Sequence, residues 1–433
     1  MRRWFPPATV VVAVLVSTGH ARAAPGLAFG FSDDAPKWYG ARAVTPGRIL
    51  GARRVRLTLH WARGQRTLDA TQWAELAQGA RSAAAQGLRV VLAVYAEPGS
   101  GAAPRDAKAR GDYCTFVRSA IARHQSLRDV VIWNEPNSAF FWRPQFSADG
   151  VSAAPAAYEA LLARCYDVLH AAAPSINVVA PATAPRGDDR DSHSPGSFLR
   201  GIGDAYRRSG RTRPLFDTVA HHVYGDTFGE RPWQQHPDSK TIAEGDWNKL
   251  MWNLARAFAG TAQPIPGECA GGRCVSIWYL ESGFQTQTPA AARYTGREIS
   301  TGTIPASVGG EPGARSTPTG AAAPDQATQI GDALRLAYCQ PFVTAYHNFL
   351  LFDERRLEGW QSAPLFADGT GKPSLFAFLD AVGEVNAGLV DCDALKGGRP
   401  SGDFRPPHGS EFRLGRGRGC AARRPTPLRA RRG

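Results

Sequence analysis

The chain has 433 residues, 43% of them hydrophobic, and a formal net charge of +13. That length can bury a large core, as one α/β barrel or as two or three average domains. The charge is not spread evenly: the stretch from Lys396 to Gly433 carries a net +9 and the first 23 residues +3, which leaves the body at +1 and, with no reading motif present, excludes a nucleic-acid binder.

The opening segment, "MRRWFPPATVVVAVLVSTGHARAA", has a basic start, an apolar run from Ala8 to Val16 and a small-residue site at Ala21-Arg22-Ala23. It reads as a signal peptide cut after Ala23, since the run is about half the length a membrane span needs. A secreted, extracellular protein with no membrane attachment after cleavage is therefore expected.

Eight strand-like apolar runs follow: "GLAFGF", "RRVRLTLHW", "LRVVLAVYAEP", "DVVIWNEPN", "INVVAPATAP", "FDTVAHHVYG", "VSIWYLESGF" and "VTAYHNFLLFDE". Between them lie segments such as "DATQWAELAQGARSAAAQG" and "AAYEALLARCYDVLHAAA", whose apolar residues recur every three or four positions, as on one face of a helix. Eight strand-helix units predict an α/β fold of the (β/α)8 TIM-barrel kind over residues 24–396. A doubly wound sheet is disfavoured because no strand leads into the glycine fingerprint of dinucleotide sites. Residues 285–324, rich in Thr, Pro, Gly and Ala, read as a long active-site loop, and residues 397–433 as a basic Gly/Pro/Arg-rich disordered tail.

Seven cysteines in an exported chain imply three disulfides. Cys269 and Cys274, in "ECAGGRC", form the easiest pair. Connectivity beyond it is open, with Cys114–Cys165 and Cys339–Cys392 as candidate pairs and Cys420 as the odd thiol. No second cysteine or histidine pair stands at zinc-finger spacing, so no metal is expected.

In such a barrel, working residues stand at the carboxyl ends of strands. Strand two offers Arg56, His60 and Trp61, strand three Tyr95 and Glu97, and strand four Asn134 and Glu135. Strand six adds His222 and Tyr224, strand seven Glu281, and strand eight leads to Asn348, Asp353 and Trp360. The set converges on two glutamates facing each other across the barrel mouth. Glycosidic cleavage needs such a pair, one carboxyl held neutral to protonate the leaving oxygen and one ionised against the developing oxocarbenium ion. Glu135, with Trp133 or Tyr224 nearby, is expected to be the general acid/base. Glu281, beside Arg56 and Tyr279, is expected to be the nucleophile, and Asn134 is expected to hold the sugar 2-hydroxyl.

These residues resemble the clan A retaining glycoside hydrolases, in particular family 5 (cellulase-like) and family 39. "IWNEPN" resembles the strand-four acid/base motif and "WYLESGF" the strand-seven nucleophile motif. "HHVYG" resembles the strand-six His-x-Tyr, here His222 and Tyr224, and "VRLTLHW" the segment carrying the clan's arginine, here Arg56. The likeness spans roughly residues 26–385. It implies an enzyme acting on the O-glycosidic bonds of a poly- or oligosaccharide by double displacement; a monomer without cofactor is expected, with Trp61 and Trp360, aromatics at loop mouths, as candidate sugar contacts. Two positions depart from the pattern: Tyr95 stands where family 5 members carry a histidine, and Trp360 would replace a strand-eight tryptophan from the following loop.

Alone, Glu135 could equally serve a buried arginine. Glu97 reads as solvent-facing, Asp33 and Asp34 as turn or capping residues, and His221 as packed behind the barrel. Trp38, Trp61, Trp142 and Trp360 each have core packing as an alternative to sugar stacking. The rival function is a non-catalytic carbohydrate-binding or cell-wall-associated barrel, which would be expected to lack one carboxylate. Serine esterase and zinc peptidase chemistry lack their motifs here.

Overall fold

The computed structural model describes residues 26–395 apart from positions 125, 228, 271, 287, 289–291, 293 and 295–324. The predicted signal segment, most of the 285–324 loop, the basic tail and Cys420 lie outside the described residues.

The barrel strands are β1 (Ala28–Ser32), β2 (Arg54–His60), β3 (Arg89–Tyr95), β4 (Asp129–Ile132), β5 (Asn177–Thr183) and β6 (Thr218–His222), followed by β9 (Ile277–Ser282) and β10 (Val343–Asn348). A small hairpin, β7 (Cys269–Ala270) with β8 (Arg273–Cys274), intervenes. The eight strands close in the order β1-β10-β9-β6-β5-β4-β3-β2, all parallel, as the sequence predicts for a TIM barrel.

Helices surround the barrel: α1 (Pro36–Tyr39), α2 (Ala41–Ile49), α3 (Ala70–Ala85), α4 (Ala107–Arg123), α5 (Ala154–Ala172), α6 (Pro195–Ser209), α7 (Trp247–Phe258), α8 (Gln326–Cys339) and α9 (Pro373–Ala387). Their starts are fixed by side-chain caps. Asp69 and Gln72 form a capping box on α3, and Asp106, Ser194 and Asp325 accept backbone N–H groups at α4, α6 and α8. Among the described residues no helix is long and apolar enough to cross a membrane.

Period two divides each strand between two cores. On β2, Val55, Leu57 and Leu59 enter the layer between barrel and helices. Arg54 turns inward, its guanidinium 4.0 Å from the Trp278 ring centre. The barrel interior is filled by Val91, Ala93, Val131, Val179, Ala182, Ala220, Trp278, Leu280 and Ala345. Disulfides Cys114–Cys165 and Cys339–Cys392 tie α4 to α5 and the end of α8 to the segment after α9, and Cys269–Cys274 closes the hairpin. They are the expected Cys269–Cys274 pair and the two candidate pairs.

Candidate active site

A cavity of about 750 Å³ opens at the carboxyl ends of the strands. Of the eight site residues named from sequence, Arg56, Asn134, Glu135, Tyr224, Glu281 and Trp360 line it, and His222 lies directly beneath. Trp61 does not reach it. It is 1% exposed, packs edge-on against Tyr113 and Trp133, and donates its indole N–H to Gln65 O. The cause is parity: Trp61 continues the outward series Val55, Leu57, Leu59.

Glu135 is placed by an irregular turn directly after β4. Trp133 and Glu135 both have positive φ, 70° and 41°, a region non-glycine residues seldom occupy and one that collects at functional sites. The turn is held from several sides. Glu135 N–H donates to Ala182 O at 2.9 Å, while Asn137 donates to Ala184 O and His193 O and accepts from Ala184 N–H. Asn137, quoted in the motif but given no role from sequence, thus locks the glutamate loop to the segment after β5. The twist also sends Trp133 outward, where it packs on Trp61, Tyr113 and Trp142. It is not the aromatic wall of Glu135 that the sequence suggested.

Glu281 depends on a second irregularity. Trp278 and Leu280 both face the barrel interior, so strict alternation would turn Glu281 outward. The pairing of β6 with β9 instead shifts register between His221↔Tyr279 and His222↔Glu281, and the bulge brings Glu281 in beside His222. Tyr279 stays in the outer layer, donating to Gln340 Oε1 at 2.6 Å. The expected Tyr279 contact is corrected accordingly: the hydroxyl on Glu281 is that of Tyr224, 3.2 Å from Oε2.

The polar network joins both carboxylates. Arg56 donates one nitrogen to Glu281 Oε1 at 2.6 Å and the other to Asn134 Oδ1 at 2.5 Å. His222 Nδ1 lies 2.6 Å from Glu135 Oε1 and 3.5 Å from Glu281 Oε2. An oxygen of each carboxylate and a histidine nitrogen all fall within 4.8 Å of one another.

Burial pushes the Glu135 carboxyl up to about 7, against the opposing charges of Arg186 and Arg56. Burial drives His222 down to about 4, so the imidazole is neutral at pH 7 and its contact with Glu135 is a hydrogen bond rather than an ion pair. Burial works against the charge of Arg56, but Glu281 more than restores it. Burial holds Tyr224 protonated, which suits its role as donor to Glu281.

The remaining candidates separate cleanly. Tyr95 lines the cavity and its hydroxyl lies 3.4 Å from that of Thr58. Trp38 is 54% exposed at the cavity rim, whereas Trp142 is fully buried. Trp360 packs on Tyr224 and Phe349 and forms one wall. Glu97 is exposed and meets His60 at 3.0 Å, away from the carboxylates. His221 bonds Thr183 and Ile242 behind the barrel. Asn348 anchors the carbonyls of Leu350 and Ser362, and Asp353 is paired with buried Lys372 at 2.5 Å. Asp33 accepts N–H bonds from Ala35, Leu351 and Phe352.

Sequence reasoning missed Tyr39, Phe140, Phe141 and Arg186, which also line the cavity. The run "SAFFW" directly after the strand-four motif was a signal for the two phenylalanines. Arg186 had none beyond its place just past the fifth strand.

No protein-family model matches this chain, and no curated protein matches it by sequence. Its fold is that of solved (β/α)8 barrels. A monomeric beta-xylosidase from Caulobacter crescentus CB15 aligns at TM-score 0.50 and 17% identity, over 83% of this chain and 69% of that one. A glucosidase from Croceicoccus marinus aligns at TM-score 0.51 and 12% identity, over 85% and 69%. GH5_18 from Streptomyces cattleya, solved with GlcNAc, aligns at TM-score 0.50 and 14% identity, over 84% and 81%. At these identities the likeness establishes the architecture, a (β/α)8 barrel.

Proposed function

We propose that this protein is a secreted retaining glycosidase that hydrolyses O-glycosidic bonds in a poly- or oligosaccharide. The observation that carries the reading is the pair Glu135 and Glu281. Glu281 is held directly by Arg56 and Tyr224 while burial pushes Glu135 up to about 7, and the two share one neutral histidine and have oxygens within 4.8 Å of each other. That spacing suits the roughly 5–5.5 Å of retaining enzymes better than the roughly 6.5–9.5 Å of inverting ones, which must admit a water. Two structural neighbours, a beta-xylosidase and a glucosidase, are in keeping with a sugar substrate.

In this mechanism Glu281, held by Arg56 and Tyr224, attacks the anomeric carbon as the bond to the leaving oxygen breaks. Glu135 gives that oxygen its proton. A covalent glycosyl-enzyme results. Glu135, now a carboxylate, takes a proton from water, whose oxygen attacks the same carbon and releases Glu281. Asn134, its carbonyl oxygen engaged by Arg56, is left to donate its amide N–H to the sugar 2-hydroxyl. Neither step needs a cofactor. Three disulfides in one domain support an oxidising compartment, and with it the cleavage of residues 1–23 and export. The protein is proposed to work as a monomer.

The test uses a panel of 2,4-dinitrophenyl glycosides with azide. Glu135→Ala should still form the glycosyl-enzyme from these leaving groups, and azide should intercept it to give an azide product of retained configuration. Glu281→Ala should give no intermediate, and any azide product should be inverted. Retained product from Glu281→Ala would mean the roles are reversed. Inactivity of the wild type on every glycoside and polysaccharide offered would favour a binding barrel.

A further inference from the structure

The charged residues of the cavity wall are unequally partnered. Every acid that lines it is held within the protein. Asp33 accepts three backbone N–H groups, and Asp34 accepts Thr58 N–H and pairs with Lys37. Asp353 pairs with Lys372, Glu354 accepts Trp360 N–H, and Asp368 accepts from Thr370. Among the lining arginines only Arg56 has an acidic partner within 4 Å in the described residues; Arg42, Arg186 and Arg355 have none.

Arg186 is the telling one, because Arg42 and Arg355 are exposed and solvated whereas Arg186 is half-buried in the wall. Its side chain donates to Gly225 O, and its own carbonyl accepts from Asn137, the residue that locks the Glu135 loop. The described residues therefore take up one of its five N–H donors and set it on the same side of the cavity as Glu135. A partly desolvated guanidinium without a counter-ion is unfavourable unless a ligand supplies one. Since Glu135 must reach the glycosidic oxygen, groups on its side face the leaving sugar.

We propose that the substrate is an acidic saccharide and that Arg186 receives the carboxylate of a uronate on the leaving-group side of the scissile bond. This rests on the glycosidase reading and narrows it. The planar fork of arginine matches a carboxylate in two parallel hydrogen bonds. Binding there would also neutralise the charge that Arg186 turns toward Glu135, which favours the protonated acid that the first step consumes.

The test compares glucuronoxylan, gum arabic and xanthan, each native and after carboxyl reduction, with dinitrophenyl glycosides as a control for chemistry. A sulfated galactan, native and desulfated, forms a separate arm. Wild type should prefer at least one native uronate polymer over its reduced form by about tenfold to a hundredfold in kcat/KM, mainly through KM, the range expected for hydrogen bonds to a charged group. In Arg186→Gln that ratio should fall toward one, with Arg186→Lys between. Glycoside turnover without preference for any native uronate polymer overturns the inference and leaves the glycosidase reading standing, and so does a preference confined to the sulfated polymer. The wild-type ratio decides this even if a variant misfolds. No turnover of any substrate overturns both.

Discussion

Glu135→Gln should stabilise the protein above pH 7 and change it little near pH 4. Burial pushes the carboxyl from its ordinary 4.5 up to about 7, so the folded protein holds this proton more tightly than the unfolded chain. Between those two values the folded state carries more protons, and stability falls as pH rises. The loss is absent below about pH 4.5 and complete above about pH 7, where it is on the order of 3 kcal/mol at about 1.4 kcal/mol per pH unit. Its side chain is 16% exposed, so solvent screens only part of this. Glutamine cannot ionise and keeps the shape. Its amide can donate to a bare His222 Nδ1 or accept from a protonated one, so the contact at 2.6 Å survives. For a domain of this size about 3 kcal/mol corresponds to roughly 4 °C in Tm. Thermal and urea melting of both proteins at pH 4.5 and pH 8 isolates the effect, because all other titrations are shared. An equal shift at both pH values, or a loss at pH 8, would refute the reasoning that this carboxyl is kept neutral at a cost to stability.

The same residue sets the activity profile. With a poor leaving group, kcat/KM should decline above about pH 7 as Glu135 loses its proton, whereas dinitrophenyl glycosides should show little of this limb; stopped assays across pH 4–9 would reveal a decline common to both if the assignment is wrong. Arg56→Gln removes the bonds at 2.6 and 2.5 Å that align Glu281 and Asn134, and should lower kcat/KM at least roughly a hundredfold with little change in fold by circular dichroism. Lys372→Met leaves Asp353 buried without its cation, with only the Ala363 N–H among the described residues on its carboxylate, and should cost about 3–5 kcal/mol in urea unfolding; the double variant with Asp353→Leu should regain most of it.

The barrel was legible in the sequence because its signal is redundant. Eight apolar runs alternate with helical patterns, and a boundary error in one leaves the count unchanged. The two glutamates were legible because a carboxylate ending a buried apolar strand stands out against its surroundings. What the sequence hid were departures from period two. Trp61 obeys alternation: its chemistry suggests the cavity, but parity with Val55, Leu57 and Leu59 sends it outward. Glu281 and Trp133 break alternation, one through a bulge opposite His222 and the other through a positive φ of 70°. No residue in either segment announces the break, since neither is glycine and both runs read as ordinary strand.

The two irregularities have a common physical sense. A parallel strand buried on both faces offers only an inward apolar row and an outward apolar row, and neither suits a carboxylate. Chain that keeps strict period two must bury such a group among aliphatic side chains or against the helices. By turning left-handed just past the end of β4 and by shifting register near the end of β9, the backbone brings Glu135 and Glu281 into the one place where Arg56, His222 and Tyr224 can satisfy them. The cost appears as left-handed backbone at Trp133 and Glu135, of order 1–2 kcal/mol per residue, and as a carboxyl that burial pushes up to about 7. Asn137 and the bulge opposite His222 are the features that hold this geometry against its tendency to relax. Asn137→Ala should therefore loosen the position of Glu135 and lower kcat more than it raises KM, although the side chain never reaches the cavity; an unchanged kcat in steady-state assays would mean that the strand break holds itself.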